Sequence, residues 1–348
     1  MQSKRVDPRP LRALRLGVGS AVALALSFSL ALPLPFLAPM LTLFLLVMRN
    51  QSLPLKGGLA LAAVVALTTS CGLLVTPLLQ YYPFSGVLII ALSLFGCFRY
   101  ALRGGNNLLS TFMVIGLTMI AAAGASSFEL ALLVIEALIK SVLITTLAVM
   151  LSHWLFPEPA GLPGQQAPSQ STPEQASWIA LRAALVVMPS FLMALIDPAS
   201  YMPLIMKSVT LGQQVCITSS KNAGREVIGS TLLGGLLAVV FWTLLSILPH
   251  IWLFFILTLF FVLMIARRLY QLVPNNLSAS FWLNAATTMI ILLGQSVQDS
   301  ASGKDVYSAF AIRMGLFTAV TLYACAAIYL IDNRRMRRRK YPLAGLTP

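Results

Sequence analysis

Charged residues are scarce in this sequence. Of its 348 residues 10% are charged and 58% are hydrophobic, and the mean hydropathy is +0.86. An ordinary soluble domain carries about a quarter charged residues, so this composition excludes a water-soluble fold. One helical membrane crossing takes ~20 apolar residues. The length therefore fits about twelve crossings with almost no soluble domain.

Acidic residues are the rarer of the two charge classes. Asp and Glu number 10 against 24 Lys and Arg, which gives a formal net charge of +14. In a soluble protein this excess would indicate a nucleic-acid partner. In a membrane protein, basic residues gather in cytoplasmic loops and fix the topology. We therefore expect no nucleic-acid partner.

Residues and motifs typical of metal and catalytic sites are also few. The 4 cysteines lie in apolar stretches without a CxxC spacing, and neither of the 2 histidines belongs to an HExxH motif. No GxxxxGK[ST] phosphate loop and no GxSxG motif occur in the sequence. The sequence thus predicts no metal site and no cofactor, and it gives no support for an enzyme.

Twelve apolar segments remain after the sequence is divided at Pro, Gly and charge clusters. We predict an all-α polytopic membrane protein with about twelve transmembrane helices, arranged as two parallel six-helix repeats. Residues 1–156 form the first membrane repeat, 157–177 a flexible polar linker, 178–332 the second membrane repeat and 333–348 a basic cytoplasmic tail. The segments are 14–32, 36–48, 58–79, 84–102, 108–123 and 130–156, then 178–196, 201–217, 227–248, 251–269, 277–295 and 306–331.

The two halves resemble each other. LRALR at 11–15 is similar to LRAAL at 181–185, and NNLLSTF at 106–112 is similar to NNLSASF at 275–281. The spacing between such pairs is nearly constant, which indicates a tandem duplication. Because each copy has an even number of crossings, both copies enter the membrane in the same direction. We expect a pseudo-two-fold axis along the membrane normal.

The basic residues indicate the orientation of this scheme. Twenty of the 24 lysines and arginines lie on one side, whereas Lys304 alone lies on the other. This bias predicts that both termini are cytoplasmic. The remaining three, Lys140, Lys207 and Arg313, fall inside apolar segments.

Ionisable residues inside the membrane are costly and often functional. Glu136 and Lys140 stand four residues apart on one predicted helix, so they share a face and can form an ion pair. Lys207 and Arg313 then have no obvious fixed partner. This excess of cations favours a cavity that accepts an anionic substrate. The alternative is that these side chains reach towards the membrane surface.

Prolines interrupt corresponding segments of the two halves. The second segment is short and follows Pro33 and Pro35, and the eighth follows Pro198 and contains Pro203. Interrupted helices at matching places indicate a binding site near the membrane midplane, although prolines can also merely shape hairpins. The candidate substrate-binding residues are Lys207, Arg313, Lys140, Thr210, Gln213 and Gln214.

Several stretches together resemble a known family. They are WIALRAAL at 178–185, GREVIGSTLLGGLLAVV at 224–240, the basic Arg313 in the last segment, and LRALRLGVGSAVALAL and APMLTLFLLVM in the first half. The sequence is similar to the fusaric acid resistance and aromatic acid exporter family of bacterial inner-membrane proteins. It resembles a compact, two-repeat branch that lacks the large cytoplasmic domain.

This resemblance implies export of small anionic aromatic or amphipathic carboxylic acids across the bacterial inner membrane, driven by protons, beside a periplasmic membrane fusion protein. On this hypothesis Lys207 and Arg313 attract the carboxylate, and Glu136 exchanges a proton as its pairing with Lys140 forms and breaks. The alternative is a non-transporting scaffold that recruits the fusion protein or membrane lipids. Whether the chain forms a homo-oligomer stays open at this point.

Overall fold

The protein is an all-helical, multi-pass membrane protein. The computed structural model describes residues 7–49, 51–159, 172–217 and 223–340, and these residues form helices and no strand. Ten helices are long and apolar enough to cross a membrane. The helices are α1 (Arg9–Ser29), α2 (Leu37–Met48), α3 (Leu55–Tyr81), α4 (Pro83–Leu102), α5 (Asn107–Ser126), α6 (Phe128–Leu155), α7 (Pro173–Ile196), α8 (Pro198–Ile217), α9 (Ala223–Ile247), α10 (Ile251–Leu269), α11 (Ala279–Ala301) and α12 (Val306–Lys340).

The structure confirms the twelve predicted helices and shifts several of their boundaries. Helix α7 begins at Pro173, inside the stretch predicted as linker. Proline suits the first turn of a helix, and the following Glu174 stabilises the positive end of the helix dipole. Helix α12 continues to Lys340, through part of the predicted tail. Residues 160–171 of the predicted linker and 341–348 of the predicted tail lie outside the described residues.

The helix packing is repeated in the two halves. Helix α1 packs against α2 and α6, and α7 packs in the same way against α8 and α12. Between the halves, α1 packs against α10 and α4 packs against α7. Helix α1 corresponds to α7, and α4 corresponds to α10. The α1–α10 contact is therefore the counterpart of the α7–α4 contact. The packing is therefore that of two six-helix repeats related by a pseudo-two-fold axis.

Helix α5 contains a π-helical turn, Gly116–Ile120, which packs closely on α3. A Cβ atom on Gly116 would stand 2.7 Å from the Thr69 Cα and 2.8 Å from the Thr68 carbonyl oxygen. Both are backbone atoms, which cannot rotate out of the way as a side chain can. Glycine at position 116 thus allows the two helices to approach this closely.

We expect Gly116→Ala to destabilise the protein by about 1–3 kcal/mol, because the added methyl group overpacks the α3–α5 contact. Thermal unfolding in detergent measures the effect. Gly96→Ala is the matched control, since a Cβ atom there meets nothing within 4 Å. It should be neutral or slightly stabilising, because alanine favours a helix over glycine. Equal unfolding temperatures for the two variants would contradict the close packing at Gly116.

Helix α2 is a short helix enclosed by the bundle. Its 12 residues extend roughly 18 Å, less than the ~30 Å hydrocarbon core. Leu37, Ala38 and Leu43 are fully buried. Helices α1, α6 and α11 surround it, and Phe36 at its start packs on Gly294 of α11. The predicted short second segment is therefore a short helix in the interior of the bundle.

Candidate functional site

A buried lysine is the centre of the candidate site. Lys207 lies midway along α8, and its side chain is fully buried. Its Nζ donates one hydrogen bond to Asn284 Oδ1 at 2.8 Å and one to Thr288 Oγ1 at 2.6 Å. Both acceptors belong to α11 and are themselves fully buried. The lysine thus joins α8 to α11 through two uncharged groups.

Hydrogen bonds continue from Asn284 into α9. Asn284 Nδ2 donates to Ser230 Oγ at 2.6 Å, and Ser230 Oγ donates to the carbonyl oxygen of Val227 at 2.9 Å. The Thr288 hydroxyl donates to the Asn284 carbonyl oxygen, which leaves its oxygen free to accept from Lys207. This directional order fixes the orientation of the Asn284 amide.

The network reaches a fourth helix through threonines. Asn284 Nδ2 lies 3.4 Å from Thr231 Oγ1, which lies 3.5 Å from Thr321 Oγ1 of α12. We call Lys207, Ser230, Thr231, Asn284, Thr288 and Thr321 the buried polar network. Among the described residues, no Asp or Glu forms an ion pair with Lys207. The network therefore holds a lysine without a fixed counter-charge.

The first half has apolar residues at the positions that correspond to Asn284 and Thr288. Since Asn106 corresponds to Asn275, the positions of Asn284 and Thr288 correspond to Ile115 and Met119. Both Ile115 and Met119 are buried in the hydrophobic core. The fold is thus repeated, but the buried polar network belongs to the second half alone.

The other candidates on α8 have separate hydrogen bonds. Thr210 Oγ1 donates to the Lys207 carbonyl oxygen of its own helix at 2.7 Å. Gln213 Nε2 donates to Thr111 Oγ1 of α5 at 2.6 Å, which connects the two halves. Gln214 lies on the same helix, outside the residues whose side chains the structure describes. Their predicted contact with substrate stays a prediction.

Arg313 has a fixed partner, so the expectation that it lacks one is wrong. Its guanidinium binds both carboxylate oxygens of Asp299, with Nη2 at 2.9 Å from Oδ1 and Nη1 in contact with Oδ2. Asp299 is buried and Arg313 is largely buried. Asp299 belongs to the last turns of α11, beyond the predicted end of that segment at residue 295. The helix is longer than the hydropathy pattern indicates.

Lys207 and Arg313 do not meet in one site. Thr288, a partner of Lys207, and Asp299, the partner of Arg313, are eleven residues apart on the continuous helix α11. At 1.5 Å per residue they are separated by roughly 16 Å along the helix axis. The structure thus places the two cations at different depths of the membrane.

Glu136 and Lys140 form the predicted ion pair on α6. Lys140 Nζ lies 2.5 Å from Glu136 Oε1. Their side chains are 62% and 52% exposed, because this face of α6 points away from the helix bundle. The pair thus does not join the buried polar network. The roles predicted for Lys140 in substrate binding and for Glu136 in proton exchange stay predictions.

A second charged cluster lies near the predicted cytoplasmic end of α1. Glu158, just after α6, forms ion pairs with Arg12 and Arg15. Tyr270, which follows α10, lies close enough to interact electrostatically with both arginines. Burial raises the pKa of Tyr270 to about 12, although the arginines act in the opposite direction. The phenol is therefore neutral at physiological pH.

A groove of about 790 Å³ lies between α4 and α7, where the two halves meet. Leu88, Leu92, Phe95 and Leu181 give it an apolar wall. Arg99, Glu174 and Trp178 are also among the residues that line it. An apolar wall beside charges of both signs suits a molecule with a hydrophobic body and a polar group.

Sequence reasoning found Lys207 but missed its partners. A search for ionisable residues in apolar segments finds Lys207 but not the uncharged Asn284, Thr288 and Ser230. A usable signal is the run NAATT at 284–288, since an asparagine within a membrane helix needs a hydrogen-bond partner. Glu158 was missed because it lies in the predicted linker.

Comparisons with known proteins give one match. Residues 12–152 match a family described as a protein of unknown function, DUF2955. The matched region begins in the first turn of α1 and ends in the last turn of α6. Neither the curated proteins nor the solved structures give a match. The first half of the chain is therefore similar to an uncharacterised family.

Proposed function

We propose that the chain is a secondary transporter that exports small anionic aromatic or amphipathic carboxylic acids, driven by protons. The proposal places it in the bacterial inner membrane with both termini in the cytoplasm. The observation that carries it is Lys207, fully buried midway along a helix and bonded to uncharged groups. A buried ionisable group in a membrane bundle is typical of a substrate or ion pathway.

The hydrogen bonds of Lys207 suit a carboxylate as the missing partner. An ammonium group has three N–H donors, and two of these donate to Asn284 and Thr288. A substrate carboxylate supplies the third acceptor and the opposite charge. Such a charge-assisted hydrogen bond is stronger than one between neutral groups. The proposal therefore assigns Lys207 to bind the acidic group.

The proposed alternating access involves two hydrogen bonds between the repeats. Gln213 of α8 donates to Thr111 of α5, and Gln298 of α11 donates to the Pro33 carbonyl oxygen just before α2. Each bond links the two halves of the chain, so a rocking motion of one repeat would break and remake them. Rocking of repeats around a midplane site is a known form of alternating access.

The resemblance to the fusaric acid resistance and aromatic acid exporter family supports the substrate class. The groove between α4 and α7 is compatible with an amphipathic molecule arriving from the membrane, because it has an apolar wall beside the polar Arg99 and Glu174. The proposal retains a periplasmic membrane fusion protein as partner on the strength of the resemblance alone.

Uptake by inverted membrane vesicles tests the proposal. We expect labelled hydroxybenzoate to accumulate in vesicles that contain the protein when a proton gradient is imposed, and not after the gradient is collapsed. Hydroxybenzyl alcohol is the matched control solute, since it keeps the ring and lacks the carboxylate. It should not accumulate. Absence of uptake for a series of aromatic acids, with folded protein in the vesicles, would favour the scaffold that recruits a fusion protein or lipids.

A further inference from the structure

Helix α6 presents a single exposed strip to its surroundings. Exposed residues recur at steps of three, four or seven positions and thus lie on one face, which we call the outer strip. It comprises Glu129, Leu133, Glu136, Lys140, Leu147 and Met150. Helices α1, α2, α3 and α5 cover the other sides of α6. The outer strip is therefore the side of α6 that faces lipid or another protein.

The charged pair lies in the middle of this strip. Lys140 is the thirteenth and Glu136 the ninth of the 28 residues of α6. If α6 is centred in a hydrocarbon core ~30 Å thick, Lys140 lies roughly 13 Å from the nearer boundary. Its four-carbon stem is too short to bring the ammonium to the headgroups. Glu136 and Lys140 pair with each other, but lipid tails offer no further partner to either exposed charge, which makes this an unfavourable lipid-facing surface.

We propose that the outer strip of α6 is the interface of a homodimer, in which Glu136 of each protomer pairs with Lys140 of the other. Two copies of the chain enter the membrane in the same orientation, so their two-fold axis runs along the membrane normal. Residues of equal depth then face each other across the axis. Glu136 and Lys140 differ in depth by about one helical turn, ~6 Å, which their side chains can span.

The charge pattern selects a second copy as the occupant. The centre of the strip carries one anion, Glu136, and one cation, Lys140, a turn apart, and is thus complementary to itself, as an isologous interface requires. Leucines at 133 and 147 flank the charges with apolar surface, 41% and 48% exposed. Four charges then surround the axis with alternating sign and leave the lipid. This inference does not depend on the proposed transport.

Charge reversal tests the pairing across the axis. Glu136→Lys gives a protomer with two lysines at the centre of the strip, and Lys140→Glu gives one with two glutamates there, in addition to Glu129. We expect each variant alone to lose at least tenfold in dimer fraction, measured by subunit counting of the full-length chain in lipid nanodiscs. When the two variants are co-expressed with different tags, dimers containing one of each should return to the wild-type fraction.

Two outcomes would overturn the interface. One is a wild-type chain that is monomeric in nanodiscs. The other is the failure of co-expression to restore dimers from two variants that are each monodisperse. Pairing inside one protomer cannot explain rescue by mixing, because each variant lacks its internal ion pair and only the partner can supply the opposite charge.

Cysteine cross-linking gives an answer that does not depend on the charge variants. In a chain whose four cysteines are replaced, Leu133→Cys leaves the ion pair intact and should form an intermolecular disulfide under mild oxidation in native membranes. Leu236→Cys is the matched control, since it is 61% exposed midway along α9, which has no contact with α6 among the principal helix pairs. Equal cross-linking at both positions, or none at Leu133→Cys, would contradict the proposal, as would a cross-linked product that contains a different protein.

Discussion

Lys207→Met is expected to reduce acid uptake about a hundredfold while leaving the protein folded. The substitution removes the charge that binds the carboxylate, and a hydrogen bond to a charged group contributes about 1.5–3 kcal/mol. Uptake of labelled hydroxybenzoate by inverted vesicles measures the loss. Lys207→Arg should retain more transport than Lys207→Met, because it keeps the positive charge at the site.

We expect Lys207→Met alone to lower the stability of the protein, and replacement of Asn284 as well to restore it. Lys207→Met alone leaves Asn284 Oδ1 without its donor, whereas Lys207→Met/Asn284→Leu replaces both groups by apolar side chains. Replacement of both partners of a buried hydrogen bond by apolar groups of similar shape is often nearly neutral or stabilising. The double variant should therefore unfold in detergent at or above the wild-type temperature and remain inactive.

Lys304→Gln is the control, since it also removes a lysine but in the exposed loop after α11. It should keep the uptake that Lys207→Met loses. Normal uptake by the folded Lys207→Met variant would disprove the role of Lys207 in binding the acid.

Asp299→Asn is expected to destabilise the protein by about 3 kcal/mol. The substitution removes the carboxylate that binds the guanidinium of Arg313 with both oxygens, and it leaves a largely buried cation without a charge partner. Removal of one partner from a buried ion pair costs about 3–5 kcal/mol, and the low end applies because Arg313 keeps 18% exposure. Thermal unfolding in detergent measures the change.

The partner substitutions separate pairing from loss of packing. Arg313→Gln should destabilise by a similar amount, whereas Asp299→Leu/Arg313→Met should recover most of the loss because no unpaired charge remains. Lys304→Gln is the control, since Lys304 is exposed in the adjoining loop and should change stability by less than about 0.5 kcal/mol. Additive effects in the double variant would show that the ion pair does not stabilise the protein.

The fold was predictable because a membrane helix is specified by a local property. Each segment needs about twenty apolar residues in sequence, and hydropathy detects such a stretch without knowledge of its neighbours. Even the short α2 was predicted as residues 36–48, close to the observed Leu37–Met48. The ends of α11 and α7 were less accurate, because polar residues such as Asp299 and Glu174 extend these helices beyond their apolar parts.

The candidate site was only partly predictable because its partners are distant in sequence. Lys207 and Asn284 are 77 residues apart, and no local pattern shows that α8 and α11 bring them together. Arg313 and Asp299 are 14 apart, but a predicted loop concealed the aspartate. Glu136 and Lys140 were paired correctly because a single helix sets their distance, whereas the direction in which they point depends on every helix around α6.

The short helix α2 imposes an order on the biogenesis of the protein. One of its sides is completed by α11, through Phe36 against Gly294 and through the bond from Gln298 to Pro33. The ribosome makes α11 more than two hundred residues after α2. Until then, the short helix α2 and the unbonded carbonyl of Pro33 lack this cover. Complete enclosure of α2 must therefore await synthesis of α11, so the first half reaches its final structure only after most of the second half has been inserted.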